Sequence, residues 1–329
     1  MNLPGRIVGT AMAAAALCGA QQAGATQLMP DDGELIQQAI RQTQPSEPDP
    51  RIRYGTAAAQ GDPSAQTALG WAYANGAGVP RNYLEAARWY KQAAHQGFAW
   101  AELGLGQLYD DGLGVAADPR KAARLYRKAA AQGNAVAQLN LGRLYADGRG
   151  VTRNFYQAQA WYRQAAEQGN ARAQFSLGML YSRGDGVPAD ATEAAQWLWR
   201  SANQDFVMAQ AALGVLYQRG EGLQRNLVEA ARWHRRAAEQ GFAPSQLALG
   251  TLYLQGEGVP RDKAQAVSWY RKAALQGNGE AAEMLAQLET VPNLPHAERS
   301  STPAADPITA PLRTQARASG VVARAGAPD

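Results

Sequence analysis

Residues Leu141–Val151 read LGRLYADGRGV, three glycines set in what begins as a helix. Glycine-rich turns can cradle phosphate through their backbone N–H groups, so the first question is whether this stretch is a site or a scaffold. It is not single. LGWAYANGAGV (69–79), LGQLYDDGLGV (105–115), LGMLYSRGDGV (177–187), LGVLYQRGEGL (213–223) and LGTLYLQGEGV (249–259) recur at steps of 36 residues with no insertion or deletion. A phosphate loop has no need of six copies at one interval. A structural hairpin does, and a fixed period of this length is the mark of a stacked repeat.

Each copy predicts two helices. In the third, Ala137, Leu141, Leu144 and Tyr145 form an apolar stripe at helical spacing. Gly142 lets two helices approach, Gly148 and Gly150 shape the turn, and Val151 re-enters the core. Asn154, with Gln157 three residues on, predicts a capping box in which each side chain satisfies a backbone N–H of the opening turn. Asn82/Glu85, Asp190/Glu193, Asn226/Glu229 and Asp262/Gln265 repeat the pair, whereas Asp118 faces Lys121 behind Pro119. The second helix carries Ala158, Trp161, Tyr162, Ala165 and Ala166 inward and ends at Gln168-Gly169, where glycine supplies a left-handed exit. One such hairpin cannot bury both of its apolar faces, but stacked neighbours can.

The expected fold class is therefore all-α, a solenoid of six 36-residue helix-turn-helix repeats over residues 61–276. Residues 26–60 form an N-terminal helical cap and linker: 31–43 suggest one helix and 50–60 a second helix lacking its first. Residues 277–290 form a C-terminal capping helix with Glu280 and Glu283 outward. Residues 291–329, rich in Pro, Ala, Ser and Arg, show no period and are expected to be a disordered tail.

The leader has Arg6, an apolar run from Ile7 to Ala20 too short for an ordinary membrane span, and Ala23-Gly24-Ala25 as a cleavage signal. Residues 1–25 are expected to be a signal peptide cut after Ala25, which places the protein in the periplasm or outside the cell, with no transmembrane span in the mature chain. A lipoprotein through Cys18 is the alternative, but Ala15 and Leu17 do not fit that signal. Cys18 is the sole cysteine, so cleavage leaves no disulfide to form. A formal net charge of +4 over 329 residues argues against nucleic acid as partner.

At this point the pattern A-x-x-x-L-G-x-L-Y-x-x-G-x-G-V…W-Y-x-x-A-A-x-Q-G, carried here by Ala137, Leu141-Gly142, Leu144-Tyr145, Gly148, Gly150-Val151, Trp161-Tyr162, Ala165-Ala166 and Gln168-Gly169, resembles the Sel1-like repeat of the tetratricopeptide-type superfamily. The resemblance covers residues 61–290. It implies a right-handed α-solenoid and adaptor work in protein complexes. It also implies an alternative, a penicillin-interactive or β-lactamase-like activity claimed for cysteine-rich relatives, whose cysteines this chain lacks.

No catalytic, metal or cofactor motif is present: no H-E-x-x-H, P-loop, C-x-x-C or G-x-S-x-G, and Gly104-Leu-Gly106 runs into Tyr109 where a dinucleotide loop needs glycine. The expected function is a non-catalytic scaffold for a protein or peptide partner, with a small-molecule substrate disfavoured. In such an array information lies where the copies differ. On the first helices the variable positions fall on one face, expected by analogy with tetratricopeptide arrays to line a groove. The candidates are Trp71, Trp100, Gln107, Asp111, Arg143, Asp147, Arg172, Met179, Arg183, Met208 and Arg219, running from acidic (Asp111, Asp147) to basic (Arg183, Arg219). A second periodic series, including Lys91, Arg127, Lys128, Arg163, Arg200, Arg235, Arg236, Arg271 and Lys272, is either a basic strip for an anionic polysaccharide or envelope surface, or a set of cations complementing helix C-termini.

Overall fold

The structure, a computed structural model, describes residues 49–290. The leader, the 31–43 segment and the tail lie outside the described residues. Among those described are 14 helices and no strands. The chain divides into two compact units between Arg225 and Asn226, in the turn that joins the two helices of the fifth repeat. The first unit holds α1 (Pro50–Ala59), α2 (Pro63–Asn75), α3 (Tyr83–His95), α4 (Ala99–Asp111), α5 (Pro119–Ala131), α6 (Ala135–Asp147), α7 (Phe155–Glu167), α8 (Ala171–Arg183), α9 (Ala191–Ala202) and α10 (Val207–Arg219). The second holds α11 (Leu227–Glu239), α12 (Ala243–Gln255), α13 (Lys263–Leu275) and α14 (Gly279–Thr290). Helices α1 and α14 fall where the sequence predicts helices at 50–60 and 277–290.

Within each unit every helix packs on its sequence neighbours, and the packing is close because the framework is small. Ala86, Ala122, Ala158 and Ala194 are fully buried, as are Ala93, Ala129 and Ala165. At Gly142 a Cβ would sit 2.6 Å from Cδ1 of Tyr162, so the glycine is the seat of the facing ring. Gly70 seats Tyr90 in the same way, Gly106 seats Tyr126, and Gly250 seats Tyr270. The turn glycines divide the work. Gly148 closes α6 in the left-handed conformation, with φ 72°. Gly150 lies so close to the carbonyl of Pro119, in the preceding repeat, that any side chain there would overlap it.

Half of the predicted capping box forms. Asn82 Oδ1 accepts from the N–H groups of Leu84 and Glu85, and Asn154 Oδ1 from that of Gln157. The reciprocal half does not form. The backbone N–H of Asn82 donates to Tyr73 O and that of Asn154 to Tyr145 O, each at 2.8 Å. Glu85 is thereby released and pairs with Arg88 instead. The hairpin uses the cap's own N–H to tie its two helices together. Phe98, Phe206 and Phe242 stand at cap positions without a capping bond, and Phe206 packs against Phe175, ring centroids 5.3 Å apart.

A buried amide ladder joins successive repeats. Gln138 Nε2 donates to Ala130 O at the end of α5, while its Oε1 accepts from Gln168 Nε2 at the end of α7, 2.7 Å away. Gln66 repeats both bonds with Ala58 O and Gln96, Gln174 with Ala166 O and Gln204, and Gln246 with Ala238 O and Gln276. In the second repeat Glu102 holds the position, 2% exposed. It accepts from Gln132 Nε2 at 2.9 Å, but as a carboxylate it has no hydrogen to give to the end of α3. Burial pushes its carboxyl up from the ordinary range, against the opposing pull of Lys128 and the Gln132 bond.

Candidate interaction face

The first helices of the first unit, α2, α4, α6, α8 and α10, carry all eleven sequence-predicted residues. Asp111, Asp147, Arg172, Arg183, Met208 and Arg219 are exposed. Trp71, Trp100 and Met179 are half-buried, and both tryptophans pack against the core as well as facing outward. Gln107 departs from expectation. It is 1% exposed, so the place that Trp71 and Met179 hold in other copies is turned inward here. Arg143 is half-exposed, but its guanidinium is already engaged.

That engagement is the centre of the face. Asp110 on α4 is buried, its side chain 1% exposed. Arg143 on α6 donates from Nη2 to Asp110 Oδ2 at 2.5 Å. Arg149, from the turn after α6, donates to Asp110 Oδ1 at 2.7 Å and to the Asp110 carbonyl at 3.2 Å. One carboxylate thus holds two guanidiniums whose outer edges reach solvent. Asp111 beside it has its carboxyl raised by desolvation and by the Asp110 charge, with Arg143 and Arg149 pulling the other way. The structure therefore brings Asp111, Arg143 and Asp110 into one charged cluster. Such a set can form ion pairs and directed hydrogen bonds. Among the described residues no group of three His, Cys, Asp or Glu side chains is placed to hold a metal.

The basic series is largely spent on the array itself. Arg127 donates to the hydroxyl of Tyr145 at 3.0 Å, Arg163 to that of Tyr181, and Arg235 to that of Tyr253, each in the following repeat. Arg200, Arg236 and Lys272 lie over the rings of Trp197, Trp233 and Trp269, one turn back on the same helix. Arg271 pairs with Glu289 of α14. Arg127, Arg163, Arg235 and Arg271 thus tie one repeat to the next, whereas Arg200, Arg236 and Lys272 stay on the last turn of their own helices, where a cation also complements the helix end.

Comparison with known proteins agrees with this geometry. The Sel1 repeat pattern matches at residues 63–98, 101–134, 135–170, 171–206, 207–242 and 243–278. The chain belongs to the Sel1 repeat family. Sel1 repeat proteins generally mediate protein–protein interaction and are generally non-catalytic scaffolds. Among solved structures, this Sel1 repeat protein is similar to one from Oxalobacter formigenes at 39% identity and a TM-score of 0.65, over 72% of this chain and 69% of that one. It is also similar to c5321, a protective antigen of uropathogenic Escherichia coli displaying an SLR fold, at 38% identity and a TM-score of 0.68, over 71% of this chain. It spans 50% of the length of that Escherichia coli protein. A comparison with curated proteins finds no match.

Within this Sel1 repeat protein, sequence reasoning takes Asp110 as a helix-end turn residue and misses its burial and its pairing with Arg143 and Arg149. The signal was present. The position of Asp110 is Ala74 and Ala146 in the flanking copies, and a carboxylate where neighbours have alanine on an inward-facing position asks for a cation. No helix among the described residues is long and apolar enough to cross a membrane.

Proposed function

We propose that this Sel1 repeat protein is a non-catalytic scaffold of the bacterial cell envelope, exported by its leader, that holds a protein or peptide partner against the first-helix face of residues 71–219. The observation that carries this reading is the buried Asp110 holding Arg143 and Arg149. A buried ion cluster is a poor source of stability, because desolvation offsets its attraction. The neighbouring copies fill the same position with alanine. What the cluster adds is a pair of guanidiniums fixed in direction, on a face that also carries exposed Asp111 on α4, Asp147 on α6 and Arg183 on α8. Arginine held in this way, on a face that also carries large apolar groups such as Trp100 and Met208, is the composition of an anchoring surface.

A photo-crosslinking residue placed at Arg183 or Met208 in the native cell is expected to give a discrete adduct. The same residue at Tyr156, exposed on α7, is not. Equal adducts from both faces would overturn the assignment. N-terminal sequencing of the exported protein checks the leader, with Thr26 expected as the first residue.

A further inference from the structure

A second surface is built where the second repeat breaks the framework. Five repeats carry tryptophan on the second helix, at Trp89, Trp161, Trp197, Trp233 and Trp269, but α5 has Leu125 there. The missing indole leaves a cleft of about 290 Å³ between α3 and α5, floored by Leu125 and Tyr109 and rimmed by Lys91, Lys121, Arg124 and Lys128. The same substitution explains the rim. Arg200, Arg236 and Lys272 each lie on their own helix's tryptophan, whereas Lys128, at the same register, has only Leu125 one turn back. Lys121 stands where other copies have Glu or Gln, and its ammonium lies 5.1 Å from the Tyr109 ring centre. Three of the chain's five lysines meet at this cleft; Lys121 pairs with Asp118 at 3.3 Å, and Lys128 lies within reach of the buried Glu102 carboxyl.

We propose that the acidic stretch Asp31–Ile36 of this same chain docks in the cleft, with Asp31, Asp32 and Glu34 on the cationic rim and Leu35 and Ile36 on the apolar floor. Charge selects this segment. Residues 26–48 carry four acids (Asp31, Asp32, Glu34, Glu47) against Arg41, whereas residues 291–329 carry four arginines against three acids and have the wrong sign. Reach allows it. The residues between Ile36 and α1 span up to ~40 Å when extended, against roughly 20 Å for the two helix widths separating α1 from the cleft. The tether holds the segment at an effective concentration on the order of millimolar, so weak contacts suffice.

Carbodiimide coupling of the full chain at low ionic strength tests this, because it joins only carboxylates and amines in direct contact. Peptide mapping is expected to find Asp31, Asp32 or Glu34 joined to Lys91, Lys121 or Lys128 within one chain. The yield should fall several-fold at about 1 M salt, where charges are screened within ~3 Å. It should fall likewise in Leu125→Trp, which restores the framework residue and fills the floor. The Lys121–Asp118 pair serves as internal control for the chemistry. The proposal is overturned if that control forms without the others, if Lys263 and Lys272 react equally, or if Leu125→Trp leaves the links unchanged. It is also overturned if the links join isotope-labelled to unlabelled chains, which would make a second copy the occupant.

Discussion

His234 occupies on α11 the place that Tyr90, Tyr126, Tyr162 and Tyr270 hold in other repeats. It is 2% exposed, with Nδ1 3.3 Å from Ser245 Oγ on α12. Burial lowers its pKa from the ordinary 6.5 to about 4. The neutral ring is the form that fits. In the unfolded chain it takes a proton near 6.5, so between that value and 4 the unfolded state binds more protons and stability falls as pH falls. Above 6.5 the stability is fully present, and below 4 the loss is complete. Each tenfold change in proton affinity is worth about 1.4 kcal/mol, so the whole descent costs about 3 kcal/mol. His234→Tyr restores the framework residue and removes the titrating imidazole. Stability of wild type and variant, followed by urea unfolding and by hydrogen exchange of α11 at closely spaced pH values, should diverge through this window and run parallel outside it. Acid groups shared by both proteins cancel in the difference. A difference that stays constant from pH 7 to pH 4 would show that the ring is solvated or already charged in the fold.

Glu102→Gln should raise stability at pH 7 by about 1 kcal/mol, since the amide can donate where the carboxylate cannot. The gain should shrink as pH falls through the raised carboxyl pKa of the folded state towards the ordinary value, because protonation supplies the missing hydrogen; unfolding titrations at pH 7 and pH 4.5 test it. Asp110→Ala should cost about 3 kcal/mol by leaving Arg143 and Arg149 facing an apolar gap, whereas replacing all three by apolar residues should be nearly neutral; thermal melts of the single and triple variants decide. Gly150→Ala and Gly169→Ala both place alanine at positive φ, 68° and 91°, a strain of about 1–2 kcal/mol each. Only the first also meets the Pro119 carbonyl, so it should be worse by about 1–3 kcal/mol more. Equal losses in paired denaturation curves would argue against close contact between those repeats.

The hairpins, their six-fold repetition and the helices on either side of them were legible because period and glycine placement are local properties of the chain. Gly142 was read as a point of helix approach, and Tyr162 proved to be what approaches it. The reciprocal capping contact was not legible. Nothing local in Asn82 and Glu85 reveals that Tyr73 O, nine residues back, outcompetes the side chain for the same N–H. The amide ladder was hidden differently. Gln96 and Gln168 stood in plain view as helix-end markers, but their partners Gln66 and Gln138 lie 30 residues away on another helix. Periodicity tells which face of a helix turns inward, not which polar atom waits there. The same gap explains Gln107, placed on a variable outward row and found buried, and Asp110, found bonded to two arginines.

The amide ladder also limits how such a chain can change length. Each glutamine donates backwards to the end of the preceding second helix and accepts from the end of its own. The joints at Gln66, Gln138, Gln174 and Gln246 therefore offer the same plug and socket. Removing residues 138–173, one full 36-residue step, would leave Gln174 facing Ala130 O, a carbonyl of the kind it already engages. Deletion or duplication in whole steps keeps the seams closed, while a shift of even one residue opens them. The second repeat alone interrupts this exchangeability among the bonds described, since Glu102 offers an acceptor where its neighbours offer a donor. Splicing across that joint would carry a pH-dependent flaw to its new position.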